Sequence, residues 1–196
     1  MLKKIERAQQ LLKKEAAVFR CPTCHQPMHV EGVGLICQQR HQFDLSKKGT
    51  LYFLNHGVQT EYNKKMFTSR GKMIQSGMYA PVLNKIMHYL PQNKTVVDVG
   101  CGEGSFLAEL SQAGLSGLKI GFDLSKEGIY LASNQPIDAF WCVADLTNLP
   151  FANEGLDTIL NIFSPSHYQE FRRVLKADGT VIKIIPEENY LKELRA

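Results

Sequence analysis

The chain has 196 residues, of which 44% are hydrophobic and 21% charged, and its formal net charge is +4. This length allows one ordinary domain with a small appendage, and the hydrophobic content excludes a disordered protein. No apolar run approaches the roughly 18 residues that a membrane-spanning helix requires. The mild basic excess is compatible with a nucleic-acid partner but does not demand one.

Residues 1–18 form a basic segment with an interrupted apolar pattern. It lacks the uninterrupted apolar core of a secretory signal, and its two acidic residues argue against a transit peptide. The apolar positions are Leu2, Ile5, Leu11 and Leu12. This spacing predicts an amphipathic helix that packs on the body of the protein.

A cysteine cluster marks the next segment, residues 19–56, which we call the zinc module. Cys21, Cys24, Cys37 and His41 follow the spacing C-x₂-C-x₁₂-C-x₃-H. Four such ligands in two close pairs can complete a tetrahedron around Zn²⁺ and leave no open position for chemistry, so the spacing predicts a structural zinc site. The chain has five cysteines, an odd number that suits metal binding in a reducing, cytoplasmic setting better than disulfides.

Two alternatives use His25, which directly follows Cys24. The run from Cys21 to His25 also fits the C-x-x-C-H pattern of haem attachment. That reading requires export and leaves Cys37 and His41 unexplained. His25 could instead replace His41 as the fourth zinc ligand, although its position beside a ligand cysteine would direct its ring away.

A polar segment at 57–78 is predicted to be a linker that leads into a helix. From residue 79 to 196, strands alternate with helices, which predicts βαβ units in a doubly wound, mainly parallel Rossmann-like sheet. The predicted strands are 95–99, 118–122, 140–143, 158–162 and 180–185, and the predicted helices are 81–89, 105–113, 126–134 and 166–175.

A glycine motif follows the first predicted strand of this domain and opens a helix. Its spacing, G-x-G-x-G at Gly100, Gly102 and Gly104, differs from the G-x-G-x-x-G of dinucleotide sites, since Ser105 stands where the third glycine belongs. Asp98, two positions before the first glycine, would repel a pyrophosphate but attract an ammonium group. The motif, including Glu103 within the turn, therefore predicts an S-adenosylmethionine site.

Polar residues follow the next three strands. Asp123 ends the second strand, where a carboxylate can accept the ribose hydroxyls. Asp145 and Leu146 follow the third strand, at the expected position of the adenine. Asn161 and Ser164 end the fourth strand, which faces the transferred methyl group in such sheets, so both are candidates for cofactor binding, substrate positioning or catalysis. The alternative for Ser164 is a helix cap in an ordinary turn.

With both motifs considered, the sequence resembles the RlmA-type 23S rRNA guanine-N1 methyltransferases, a family that includes macrolide-resistance enzymes. The stretches that carry the resemblance are 21–27, 36–45, 77–81, 97–104, 121–126, 149–151 and 162–165. The resemblance implies methyl transfer from S-adenosylmethionine to a guanine ring nitrogen in a 23S rRNA hairpin, with the zinc module helping to recognise the RNA. It also implies cofactor contacts from Tyr79 and Tyr190.

Two features depart from this family pattern. The basic helix lies outside it, and family members continue past residue 196 through a terminal antiparallel hairpin, so we expect the chain to be incomplete at its C-terminus. A homodimer is left open by the sequence. The basic residues that could contact RNA phosphates are Arg20, Arg40, Lys47, Lys48, Lys64, Lys65 and Arg70. Rival functions are a methyltransferase of small molecules or proteins, and a cofactor- or RNA-binding chain without turnover.

Overall fold

The computed structural model of the chain describes residues 2–55, 57–58 and 62–187. The N-terminal segment forms helix α1 (Lys4–Glu15), followed by a 3₁₀ turn at Ala16–Val18. α1 buries Ala8 and Leu12 against the rest of the protein. The amphipathic helix predicted from the apolar spacing is therefore present.

The zinc module folds as a three-stranded antiparallel sheet with the order β1-β2-β3. Its strands are β1 (Met28–Glu31), β2 (Gly34–Cys37) and β3 (Gln42–Asp44). The next strand, β4 (Thr50–Tyr52), leaves this sheet and pairs with a strand of the larger sheet. The zinc module is thus joined directly to the framework of the α/β domain.

The larger sheet has six strands in the order β4-β7-β6-β5-β8-β9, and all its pairs are parallel. The strands after β4 are β5 (Val96–Val99), β6 (Lys119–Asp123), β7 (Phe140–Val143), β8 (Leu156–Ile162) and β9 (Leu175–Ile184). The chain builds outward from β5 to β7 on one side, then returns to place β8 and β9 on the other. This order confirms the doubly wound parallel sheet.

Within residues 62–187, the structure has five helices: α2 (Lys64–Gln75), α3 (Ala80–Tyr89), α4 (Ser105–Gln112), α5 (Lys126–Ala132) and α6 (Tyr168–Val174). None of the helices in the described ranges is long and apolar enough to cross a lipid bilayer.

Helix α2 lies in the segment that the sequence presents as a linker. The side chain of Asn63 caps its first turn by accepting a hydrogen bond from the Met66 backbone N–H. Phe67, Gly71 and Ile74 are buried at helical spacing, which explains why this polar stretch forms a helix on the protein surface.

One aromatic cluster joins the zinc module to the sheet. The ring centroid of Phe19 lies 5.7 Å from that of Phe53, 5.1 Å from that of Phe140 and 6.0 Å from that of Phe151. Phe43 of β3 lies 5.1 Å from Phe53. Because these rings belong to both parts of the chain, the zinc module and the large sheet bury a common core.

Candidate cofactor pocket and metal centre

A cavity of about 330 Å³ opens at the C-terminal edge of the large sheet. Its walls come from the ends of β5, β6, β7 and β8 and from α2. The edge between β5 and β8 is the point where the strand order reverses, which is where doubly wound sheets bind their ligands. The volume lies within the range of small-molecule sites.

The glycine turn begins at the pocket wall with Gly100, and its backbone requires glycine. Gly100, Gly102 and Gly104 have φ angles of 67°, 56° and 77°. A Cβ on Gly100 would lie 2.8 Å from the Cβ of Ser164, and a Cβ on Gly104 would lie 2.6 Å from Cη2 of Trp141. The turn is therefore packed closely on both sides, and L-residues would meet both strain and overlap there.

Helix α2 covers the glycine turn with Phe67 and Arg70. The Arg70 guanidinium lies 3.1 Å from Oε2 of Glu103, donates to the Cys101 carbonyl at 3.4 Å, and stacks 5.3 Å from the Phe106 ring centroid. A Cβ on Gly102 would overlap this guanidinium. The sequence suggested that Arg70 contacts RNA phosphate. In the structure, its guanidinium instead forms an ion pair with Glu103 beside the cofactor pocket.

Asp98 is buried at the end of β5, and its Oδ2 atom has no hydrogen-bond partner among the described residues. Burial raises the pKa of Asp98 to about 7, with contributions from Glu103 and Asp123, while Arg70 opposes the rise. The Oε1 atom of Glu103 is also buried without a partner in the described part of the chain. Unsatisfied carboxylate oxygens of this kind favour a cationic ligand group nearby.

Asp123 and Asp145 stand at the strand ends where the sequence places them. Asp123 accepts hydrogen bonds from the backbone N–H groups of Gly102 at 2.9 Å and Ser125 at 2.7 Å. Its carboxylate keeps lone pairs for a pair of hydroxyls. Asp145 and Leu146 line the pocket, with Oδ1 of Asp145 accepting from both the backbone and hydroxyl of Thr147.

Asn161 and Ser164 form a closed network rather than two free polar groups. The Asn161 amide nitrogen donates to Oγ of Ser164 at 2.5 Å and to the Pro165 carbonyl at 2.9 Å, and its oxygen accepts from the Ser166 hydroxyl. Ser164 in turn donates to the Val99 carbonyl at 2.6 Å. Both side chains are thus used to hold the loop after β8 against the end of β5.

Of the two tyrosines that the family resemblance implies as cofactor contacts, the structure describes only Tyr79. Tyr79 is buried, with its ring centroid 5.3 Å from Phe106 and 5.8 Å from Phe163. It packs behind Phe163, which itself lines the pocket. Tyr190 lies outside the described residues.

The pocket also contains residues that the sequence reasoning did not select. Tyr62, Met66 and Phe67 line it from the α2 side. The Asn63 cap and the helical spacing of buried positions in α2 were visible signals for a helix, but no local pattern indicated that this helix would cover the glycine turn.

The metal centre is formed by the predicted ligands. The ligand atoms of Cys21, Cys24, Cys37 and His41 all lie within 4.8 Å of one another. The Sγ atom of Cys21 is 3.5 Å from Nδ1 of His41, and the Sγ atoms of Cys24 and Cys37 are 3.5 Å apart. Three sulfurs and one imidazole at such separations suit a tetrahedral Zn²⁺, and this donor set confirms the predicted structural zinc.

Two tight turns shape this centre. The His25 N–H donates to the Cys21 carbonyl and the Arg40 N–H donates to the Cys37 carbonyl, each at 2.9 Å. His25 is exposed and lies outside the ligand cluster, so the geometry favours His41 over His25 as the fourth ligand. Burial opposes ionisation of Cys37, but hydrogen bonds from the His41 backbone and neighbouring groups lower its pKa to about 7.

The other two cysteines carry no chemistry. Cys101 and Cys142 are buried in the α/β domain. Burial raises the pKa of the Cys101 thiol and of the Cys142 thiol, which keeps both protonated and unreactive.

The residues around the pocket fit S-adenosylmethionine. Asp98 offers an unpaired buried carboxylate oxygen for an ammonium group, and Asp123 offers lone pairs for ribose hydroxyls. A dinucleotide has no ammonium group, and its pyrophosphate would meet the Asp98 carboxylate.

Family models match both parts of the chain. The model described as "Methyltransferase domain" matches residues 96–179, and the model described as "RlmA, N-terminal" matches residues 19–55. The first match covers the strand ends that line the pocket, and the second contains all four metal ligands.

Related proteins align with most of the chain. The Bacillus subtilis protein YxjB, whose name assigns it to the 23S rRNA (guanine-N(1)-)-methyltransferases, is 42% identical over 191 residues, which cover 91% of this chain and 68% of the relative. The 23S rRNA (guanine(748)-N(1))-methyltransferase of Streptomyces fradiae is 27% identical, over 93% of this chain and 68% of the relative.

Solved structures share the fold. A Methanococcus maripaludis protein described as an S-adenosylmethionine-dependent methyltransferase superposes with a TM-score of 0.54 at 18% identity, over 64% of this chain and 65% of that one. A Pyrococcus horikoshii protein superposes with a TM-score of 0.50 at 26% identity, over 69% of this chain and 62% of that one. These superpositions confirm the fold, while the family match and the relatives identify the chain as an S-adenosylmethionine-dependent methyltransferase.

Proposed function

The chain belongs to the RlmA family of methyltransferases, and from that premise we propose that it transfers a methyl group from S-adenosylmethionine to N1 of a guanine in a 23S rRNA hairpin. The observation that carries this proposal is the joining of the cofactor pocket to the zinc module. β4, the last strand of the zinc module, belongs to the same sheet that forms the pocket. With ribosomal RNA as the proposed substrate, we propose that the reaction takes place in the cytoplasm.

The cofactor supplies an electrophilic methyl group on a sulfonium. Asp98 would hold its ammonium group and Asp123 its ribose hydroxyls, and the glycine turn would let the backbone approach it closely. The loop after β8 forms the wall beside the pocket where the acceptor would enter. Its shape is fixed because Asn161 and Ser164 bind each other and the end of β5. These residues therefore act by positioning, which is the main task of a methyl-transferring enzyme.

Phe163 is the residue best placed to contact the target base. It lines the pocket, is 37% exposed, and has a φ of 53°, a left-handed conformation that is rare for an aromatic residue. Strained residues of this kind concentrate at functional sites. A flipped guanine could stack on this ring, with N1 turned toward the methyl group.

The guanine N1 proton must leave as the new N–C bond forms and the S–C bond breaks. The Ser164 hydroxyl donates to a carbonyl and accepts from Asn161, so neither side chain is free to take this proton. We propose that a water molecule held in the pocket by the backbone, rather than either of these side chains, accepts the proton.

The direct test is incubation of the chain with radiolabelled S-adenosylmethionine and a 23S rRNA hairpin transcript. Primer extension should then stop at one guanine, because a methyl on N1 blocks base pairing. Asp123→Ala should abolish both the label and the stop. Label that enters RNA without a stop would reject N1 as the acceptor, and label found only in protein or small-molecule acceptors would reject RNA. Sedimentation of the chain with the hairpin would distinguish a monomer from a homodimer.

A further inference from the structure

A second cavity, of about 320 Å³, lies between α1 and the connection from α5 to β7. We call it the α1–α5 groove. Its described lining includes four cations, Lys4, Arg7, Lys14 and Lys48, against one carboxylate, Asp138. The zinc module and the methyltransferase domain both contribute to it, and neither the cofactor nor the metal uses it.

The positive charges in this groove repel one another, and part of the charge is buried. Burial lowers the pKa of Lys4, and the nearby charges of Lys48 and Arg7 lower it further. Arg7 is 3.6 Å from Asp138, but its Nε atom is buried and has no hydrogen-bond partner in the described part of the chain. A cluster of mutually repelling cations with an unsatisfied donor is stabilised by a bound anion.

The charge continues along the outer face of α5. Nζ of Lys48 lies 5.1 Å from the ring centroid of Tyr130, and Nζ of Lys126 lies 5.8 Å from that of Tyr52. Lys126 and Tyr130 are one helical turn apart on α5, so they share a face. Lys126 stands at the start of α5, close in sequence to Asp123 of the cofactor pocket. Basic and aromatic side chains are thus paired beside the groove and on the exposed face of α5.

The distance between the two sites suits one bound nucleic acid. The groove includes residues just before β7, and the cofactor pocket includes residues just after it. β7 has four residues, so the sites are separated by roughly 13 Å along the strand. An RNA strand or stem can span this length and contact both.

We infer that the α1–α5 groove, with the lysine and tyrosine pairs beside it, binds the phosphodiester backbone of the substrate RNA. This inference rests on the proposed function and extends it, since it assigns the surface that orients the hairpin while its target base enters the pocket. Phosphate contacts of this kind fix register and supply affinity without reading sequence.

The test compares two double charge reversals that change the net charge equally. Lys14→Glu with Lys48→Glu alters the groove. Lys13→Glu with Lys85→Glu is the matched control, because Lys13 is exposed on α1 beside Lys14 but does not line the groove, and Lys85 is exposed on α3. Lys4 is spared, since its Nζ atom donates to the Ser133 carbonyl at 2.6 Å and closes the end of α5.

Binding of a labelled 23S rRNA hairpin is measured by fluorescence anisotropy at several salt concentrations, with S-adenosylmethionine affinity by calorimetry on the same samples. The groove variant should bind RNA about tenfold or more weakly near 0.1 M salt, and its log affinity should fall less steeply with log salt, by roughly 1.4 to 1.8 for two lost phosphate contacts. The control should stay within about twofold of the original chain. Cofactor affinity should be unchanged in both.

Three outcomes would overturn the inference, and they differ in what they leave standing. If the groove variant binds and methylates the hairpin as well as the original chain, the groove is not the RNA surface but the proposed function holds. If the original chain binds cofactor but neither binds nor methylates the hairpin, both fail. If the variant loses binding to phosphatidylglycerol vesicles and keeps RNA binding, the groove serves a lipid surface instead.

Discussion

At the scale of single residues, burial of the ionised Asp98 carboxylate lowers the stability of the free protein, and the same carboxylate is proposed to bind the cofactor. Its carboxyl has a pKa of about 7, raised by burial above the value of an exposed aspartate, and Arg70, Glu103 and Asp123 are the charges that act on it. A raised carboxyl pKa favours the protonated form, so the penalty grows as the pH rises from about 4 to 7. The ligand's ammonium group, in contrast, needs the ionised form.

Asp98→Asn should therefore separate stability from binding. The neutral amide removes the penalty, so the free variant should be the more stable protein at pH 8. It should bind S-adenosylmethionine about tenfold to a hundredfold more weakly, as expected for a lost charged hydrogen bond. Affinity of the original chain should rise between pH 6 and pH 8, and calorimetry should show no such rise for the variant. A rise of equal size in the variant would contradict this role.

Gly104 illustrates a close approach that the sequence motif does not explain. Its φ is 77°, and an added Cβ would lie 2.6 Å from the Trp141 ring. Gly104→Ala should destabilise the protein by about 2–5 kcal/mol, through backbone strain and overlap together. Urea unfolding followed by the fluorescence of Trp141, the single tryptophan, measures this cost directly.

The matched control for that change is Gly114→Ala. Gly114 has a φ of 106° and open space around its Cβ position. Only backbone strain applies there, so about 1–2 kcal/mol is expected. Equal costs at the two positions would mean that the packing of Trp141 against the turn is unimportant.

At the scale of elements, α2 is held on the glycine turn by a largely buried ion pair. The side chain of Glu103 is 6% exposed and that of Arg70 is 27% exposed. Arg70→Ala leaves a buried carboxylate without its partner and should cost about 1–3 kcal/mol, reduced from the fully buried case by the solvent that reaches the arginine. It should also weaken cofactor binding, because α2 forms a wall of the pocket.

A double-mutant cycle checks that interpretation. Adding Glu103→Gln to Arg70→Ala should recover most of the lost stability, because no unpaired charge remains buried. Thermal unfolding of the four proteins measures the coupling. Strictly additive effects would show that the pair does not hold α2, and that packing by Phe67 does so alone.

At the scale of the whole molecule, the zinc module and the α/β domain share a core. The Phe19 ring contacts Phe53, Phe140 and Phe151, and β4 pairs with β7. Removing zinc with a chelator should therefore lower the unfolding temperature of the entire chain in one cooperative transition. Cys24→Ser should lower the unfolding temperature in the same way. Cys142→Ala keeps the metal centre, so the chelator should lower its unfolding temperature as much as it lowers that of the original chain.

Calorimetric scans with and without the chelator distinguish one cooperative unfolding transition of the whole chain from independent unfolding of the zinc module and the α/β domain. Two separate transitions, with only the first sensitive to the chelator, would show that the module is an autonomous unit. A loss of cofactor affinity on zinc removal would show that the metal centre also stabilises the pocket. The connection would run through β4, which pairs with β7, the strand that precedes Asp145 of the pocket wall.

The sequence by itself determined what depends on local spacing. Ligand spacing identified the zinc centre, and strand–helix alternation with the G-x-G-x-G turn identified the parallel sheet and its cofactor, because these patterns act within a few residues or one βα unit. Contacts between distant segments were decided only by the tertiary structure. Arg70 was assigned to RNA because nothing beside it shows that Glu103 would face it. Asn161 and Ser164 were candidates for catalysis from the sequence, but the structure shows that their side chains hydrogen-bond to each other. The α1–α5 groove exists only because the N-terminal helix packs beside α5.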